Sequence, residues 1–181
     1  MQKDELARLG SLAGTMGTGS RVYHVGFVLP HLEDAIATLG PALGITFGAV
    51  VELPFTTLET PAGARDVVLR LTYSPRPVHV ELISSAAGTL WDFDDQRRGH
   101  HLGVWTDDIA SEADRLDRAG MPRLWWVRGP DGALVFSYHD TPYGFYIELV
   151  NDAFRAGLAE SFRAADLSLV PDDDDEEVER A

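Results

Sequence analysis

Two parts of this chain repeat each other, and that repeat limits the possible folds more than any other feature. VYHVGFVLPHLEDAIATLG (22–40) lies over GHHLGVWTDDIASEADRLDRAG (99–120) with His24 on His101, Gly26 on Gly103 and Leu32 on Ile109. The far ends agree as well: VHVELIS (78–84) lies over FYIELVN (145–151), which puts Glu81 on Glu148. The offset is 77 residues at the histidines and 67 at the glutamates, so the second copy is about ten residues shorter. The excess is expected in LPFTTLETPAGA, where Pro and Gly punctuate the first copy.

Each copy reads as a strand, a helix and three strands. RVYHVGFVL alternates and is rich in β-branched and aromatic residues, and HLEDAIATLGPALG follows as a short helix that Gly40 and Pro41 should end or kink. GAVVELPF, DVVLRLTYS and VHVELIS are the next three strands. In the second copy the order is HHLGVWT, a helix over DDIASEADRLDRAG, then PRLWWVR, ALVFSYH and GFYIELV. Asp107 or Asp108 caps that helix, Gly120 and Pro122 stop it, and GPDG (129–132) turns between strands. The expected fold is therefore α+β, with two tandem βαβββ modules over residues 21–98 and 99–150 forming curved mixed sheets. DAFRAGLAESFRAA aligns Phe154, Leu158 and Phe162 on one face and predicts a terminal helix within 151–170.

Composition narrows the function. Acids outnumber bases 29 to 15, a formal charge of −14, which argues against nucleic acid as a partner. No cysteine is present, which removes disulfides, thiolate metal sites and cysteine nucleophiles together. No apolar run reaches the roughly 18 residues of a membrane span. Residues 1–20 lack the basic start and apolar stretch of a secretion signal, so no membrane and a cytoplasmic location are expected. Four glycines make that first segment flexible, and the acid-rich 171–181 reads as a disordered tail.

The chemistry concentrates at four repeated positions. Side chains alternate along a strand, so His24 shares a face with Gly26 and Val28, and His101 shares one with Gly103 and Trp105. Glu81 shares its face with His79 and Ile83, and Glu148 with Tyr146 and Val150. A lone strand histidine is commonly a hydrogen-bonded core residue, and a lone strand glutamate commonly faces solvent. Recurrence of both types in both copies points instead to a use for their charges. Two imidazoles and two carboxylates suit one hard to borderline divalent ion, with positions left open on an octahedral metal. His100 points the other way from His101, and His31 and His139 have no repeat partner. His79 and Arg70 are further pocket candidates, Arg70 because it alternates against Leu69 and Leu71. Aromatic residues including Trp105 and Tyr146 suggest a fairly apolar cavity.

The paired modules and the H…E…H…E order resemble the vicinal oxygen chelate superfamily, which includes glyoxalase I and methylmalonyl-CoA epimerase. The resemblance covers about residues 21–150 and is sharpest in HHLGVWTDDIASEADRLDRAG and YHDTPYGFYIELV. It implies two facing curved sheets and one divalent metal ion per site, held by His24, Glu81, His101 and Glu148. The residues do not distinguish Ni, Co, Mn, Fe, Zn or Mg. The aromatic pair that family members commonly carry in the first helix is missing from IATLGPALG, and no residue set marks a glutathione site.

A carboxylate at the Glu81 position implies the redox-neutral branch: isomerases, epimerases and lyases acting on a small molecule with two adjacent oxygens. By resemblance to glyoxalase I, Glu148 is the expected base, with Glu81 the symmetric alternative. The competing expectations are an Fe(II)-dependent dioxygenase and a non-catalytic small-molecule-binding protein of the same fold. A homodimer is expected because curved sheets leave edges to cover.

Overall fold

The computed structural model describes residues 22–75, 78–95 and 99–156. In the first module β1 (Val22–Leu29) leads to α1 (Leu32–Leu43), β2 (Val51–Thr60), β3 (Gly63–Tyr73) and β4 (His79–Ser84). The second repeats the order with β5 (His101–Thr106), α2 (Ile109–Arg118), β6 (Arg123–Arg128), β7 (Leu134–Asp140) and β8 (Tyr146–Asn151). The fold is α+β, as the repeat requires.

The eight strands close on themselves in the order β1-β4-β3-β2-β6-β7-β8-β5. β1 runs parallel to β4 and β5 parallel to β8, and every other pair is antiparallel. Two seams join the modules. β1 lies against β5 in an antiparallel ladder that sets His24 beside Gly103 and Gly26 beside His101. β2 meets β6 at Glu59 and Trp126, where the indole also donates to the Glu59 carboxylate at 2.6 Å. Closure removes the free sheet edges on which the expected homodimer rested.

Alternation decides what faces inward. Leu69, Leu71 and Tyr73 of β3, with Phe136 and Tyr138 of β7, are buried in one core cluster. α2 packs outside the barrel, placing Ile109, Ala113 and Leu116 against Leu134 and Leu149. Its first turn is fixed by Asp108, whose carboxylate accepts from Ser111 N at 3.0 Å. Burial and this hydrogen bond act on Asp108 in opposite directions, and the bond prevails, holding its carboxyl below the usual range.

Two expectations change. LPFTTLETPAGA is mostly strand: β2 continues to Thr60 and turns at once into β3, with a bulge between Phe55 and Leu58. Five of the ten extra residues lengthen the hairpin, two lengthen α1 and three lie in the α1–β2 connection. The hairpin grows because Thr, Phe and Leu in that stretch can pair once a partner strand is present. α1 also runs through Gly40 and Pro41 to Leu43. Pro41 costs one backbone hydrogen bond there, and the helix ends only at Gly44, at φ 67°, whose N–H returns to Gly40 O. After β8 a 3-10 turn covers Asp152–Phe154, and the rest of the expected terminal helix, like the tail and residues 1–20, lies outside the described residues.

Candidate metal centre and cavity

Four side chains from four strands converge inside one chain. His24 Nε2 and His101 Nε2 are 2.9 Å apart. Glu81 Oε2 lies 3.0 Å from His101 Nε2 and 3.3 Å from His24 Nε2. Glu148 Oε2 lies 3.2 Å from His24 Nε2 and 3.7 Å from His101 Nε2. Both imidazoles are fully buried and both carboxylates nearly so.

The two glycines explain how the rings reach each other. A Cβ on Gly26 would sit 2.0 Å from His101 Cε1, and a Cβ on Gly103 would sit 2.1 Å from His24 Cε1. Each imidazole therefore lies across the glycine of the opposite module. The sequence places each glycine on its own histidine's face; the β1–β5 seam makes it the cradle of the other one.

The donor set fits a divalent ion. Donors about 2.1 Å from a common ion stand roughly 3.0–3.4 Å from one another, near the separations found here. His101 Nδ1 lies 2.8 Å from Gly99 O, which places the proton on Nδ1 and leaves the Nε2 lone pair free to ligate. His24, His101 and Glu148 form a cluster that could hold a metal, with Glu81 against both imidazoles. Two carboxylates balance a 2+ charge, so the lone pairs that crowd this point would be satisfied by one cation.

The local electrostatics agree in sign. Burial raises the Glu81 carboxyl, but His24, the His101 hydrogen bond and the Tyr73 hydroxyl outweigh it and hold it below its usual range. Burial lowers the His101 imidazole, yet its bond to Glu81 and the charges of Glu81 and Glu148 leave it raised. Both shifts are those of groups waiting for positive charge.

Tyrosines form a further symmetric pair that the sequence reading missed. Tyr73 pairs with Glu81 across β3–β4, and Tyr138 pairs with Glu148 across β7–β8. Tyr138 Oη stands 3.4 Å from His101 Nε2. Burial first, then the glutamate charges, push the Tyr23, Tyr73 and Tyr138 phenols well above their ordinary range, so they remain protonated donors. The Tyr73 and Tyr138 pairing was concealed in the sequence, because the two stand eight and ten residues ahead of their glutamates and Tyr143 and Tyr146 also precede Glu148. Tyr23 was concealed differently: a register shift between Val22 and His24 adds a residue to β1, and Tyr23 borders the cavity beside His24 against simple alternation.

The carboxylates open onto an interior cavity of about 230 Å³. Leu53, Phe55, Leu69 and Leu71 wall one side, and Val135, Phe136 and Val150 the other. Trp91, from the connection between modules, completes it. The four expected pocket residues do not line this space. Arg70 is the clear correction: it points outward and pairs with Glu33 and Glu52, because Leu69 and Leu71 take the inward positions of β3. His79 is buried with Nδ1 2.8 Å from Ser74 O. Trp105 stacks on Tyr23 at 4.0 Å, and Tyr146 packs against Tyr138 at 6.4 Å, both behind the cavity wall. His100 accepts from Val28 N at 3.2 Å, a role in the β1–β5 region apart from the four donors.

A family model described as glyoxalase/bleomycin resistance protein/dioxygenase superfamily matches residues 23–136. The chain belongs to that superfamily. Its fold is shared with a hypothetical protein from Bacillus halodurans C-125, at TM-score 0.51 and 14% identity over 72% of this chain and 93% of that one. A Streptomyces coelicolor methylmalonyl-CoA epimerase, solved with 2-nitronate-propionyl-CoA, is 15% identical at TM-score 0.45, covering 74% and 95%. A trypanothione-dependent glyoxalase I from Leishmania major is 18% identical at TM-score 0.31, covering 81% and 97%. No curated protein matches by sequence. No helix among the described residues is long and apolar enough to cross a membrane.

Proposed function

We propose that this superfamily member is a metal-dependent isomerase, epimerase or lyase that moves a proton next to a carbonyl in a substrate with two adjacent oxygens. The observation that carries this reading is the convergence of His24, Glu81, His101 and Glu148 at the end of an apolar cavity. A divalent ion held there would supply Lewis acidity, lowering the pKa of the C–H beside the carbonyl. Glu148 borders the cavity and takes the proton, then returns it to another face or carbon. Glu81, equally placed but held by the Tyr73 hydroxyl, is the less mobile of the two carboxylates. Tyr73 and Tyr138 keep their protons and steady the ends of the carboxylate–imidazole cluster. The walls beside the carboxylates are apolar, which strengthens the electrostatic stabilisation of a negative charge developing against a bound ion.

The same tyrosine favours one second reading. If Glu81 stays with Tyr73, the remaining donors are two histidines and one carboxylate, the set of non-haem Fe(II) oxygenases. Oxygen consumption by the ferrous-loaded protein would select that reading.

Glu148→Gln separates ligand from base. The variant is expected to retain most of its metal by elemental analysis while solvent deuterium exchange at the substrate's α-carbon falls by about a hundredfold or more. Glu81→Gln is expected to keep more exchange. Full exchange in Glu148→Gln would remove Glu148 from the reaction. A panel of α-hydroxyketones, α-oxo acids and acyl thioesters, followed by NMR, supplies the substrates.

A further inference from the structure

The charge inventory of the cavity identifies what it accepts. Its only ionisable carboxyls are Glu81 and Glu148, and no lysine, arginine or histidine is among the described residues that line it. Two carboxylates and one divalent ion sum to zero, so the loaded site has no charge left to offer an anion. An anionic group brought to the ion would be buried among leucine, phenylalanine and valine without a partner, which costs several kcal/mol in an interior of low polarity. The chain as a whole carries −14 and repels anions before they arrive. Arg70, the cation expected to hold an anionic group, is spent outside on Glu33 and Glu52.

Size and hydrogen bonding narrow the class further. A cavity of about 150 Å³ takes benzene, so about 230 Å³ suits one ring and a short oxygenated arm. Trp91 is a cavity wall, 1% exposed, and its buried indole N–H has the Tyr138 hydroxyl as a neighbour but makes no well-aligned hydrogen bond to it. Buried donors are rarely left unpaired, because each costs about 1–3 kcal/mol when unsatisfied. A neutral oxygen on a bound molecule would satisfy it.

We infer that the part of the substrate that reaches the metal centre is an uncharged, single-ring-sized compound with two adjacent oxygens, such as an aryl α-hydroxyketone, and that Trp91 donates its indole N–H to it. This rests on the metal-dependent reading above.

The test uses two probes of one shape: α-hydroxyacetophenone, which is neutral, and phenylglyoxylate, which carries one carboxylate. In water the carboxylate chelates divalent ions better, so a reversed order on the protein reports the cavity. Full-length protein is loaded with Ni(II), its metal content is measured, and each probe is titrated by calorimetry. The neutral probe is expected to bind about tenfold tighter than the anion. Trp91→Phe is expected to weaken the neutral probe by about three- to tenfold with metal content unchanged and the protein still folded at the titration temperature. With the ion retained, phenylglyoxylate binding equally or more tightly, or neither probe binding, overturns the substrate class while leaving the metal reading intact. Unchanged affinity in Trp91→Phe overturns the role of Trp91. Failure of the protein to take up any divalent ion would sink both readings, and the metal analysis identifies that case separately.

Discussion

In the first module the β2–β3 hairpin runs through ten and eleven residues; the equivalent β6–β7 hairpin of the second has six and seven. The helices differ as much. α2 begins on an Asp108 side-chain cap and buries Ile109, Ala113 and Leu116, whereas α1 begins on His31 without a side-chain cap and buries only Leu32 and Gly40. At the centre the differences vanish: one histidine, one glycine, one tyrosine and one glutamate per module occupy matching ladder positions. The scaffold of each half has drifted as far as packing allowed. The histidines of the two halves touch each other, the opposite glycines and both glutamates, so neither half can change them alone.

The strongest way to break this comparison is at the glycines. Gly26→Ala and Gly103→Ala should each expel the imidazole of the other module, because no rotamer of a ring 2.0–2.1 Å from the new methyl can stay. Divalent-ion affinity should fall by about a hundredfold in both, within a factor of a few of each other. A mild effect at one position and a severe one at the other, by calorimetry, would mean the centre is not functionally symmetric.

The helices should respond unequally. Leu116 is 3% exposed beneath α2, while its repeat counterpart Leu39 is only half-buried. Leu116→Ala is expected to cost about 3 kcal/mol in urea unfolding and Leu39→Ala about 1 kcal/mol. Equal losses would show that α1 carries as much of the fold as α2. The caps offer a smaller contrast. Asp108→Ala should cost about 1 kcal/mol, whereas His31→Asp should stabilise by several tenths of a kcal/mol up to about 1, since it supplies the cap that α1 lacks.

The smallest expected effect belongs to an unmatched buried residue. His139 stands on the face of β7 that Thr72 takes on β3, and both are fully buried. Burial pushes the His139 imidazole below its usual value, against the opposing Met121 carbonyl and Asp117 charge and with a further push from Arg123. A folded pKa below the unfolded one gives stability that is complete above the ordinary value of 6.5 and is lost as pH falls through the depressed value. The His139→Thr variant should therefore lose less stability than the parent between pH 7 and 5, read as a shallower slope of urea midpoint against pH. An identical slope would assign the acid sensitivity elsewhere.

Much of this was legible in the sequence because local chemistry repeats. Alternation in VYHVGFVL and VHVELIS gave strands and the faces of His24 and Glu81, and the repeat gave His101 and Glu148 the same treatment. Arg70 was misread although its alternation was plain. Period two separates the faces of a strand without saying which is inside, and an apolar cavity made the leucine face the interior one. Thr56 to Thr60 was misjudged for a related reason, since a stretch with Pro nearby and no neighbour reads as loop until the opposite strand pairs with it.

The sequence by itself determined the two βαβββ units, an acidic α2 cap at Asp107 or Asp108 and the four residues that meet at the centre, because those depend on propensity, period and repetition within short windows. Tertiary structure alone decided that the barrel closes within one chain, that each glycine serves the opposite histidine, and that a bulge brings Tyr23 to the cavity. These depend on the register between strands some 77 residues apart. Register is fixed when the whole closed sheet buries its inner face, and no short window of sequence contains that constraint.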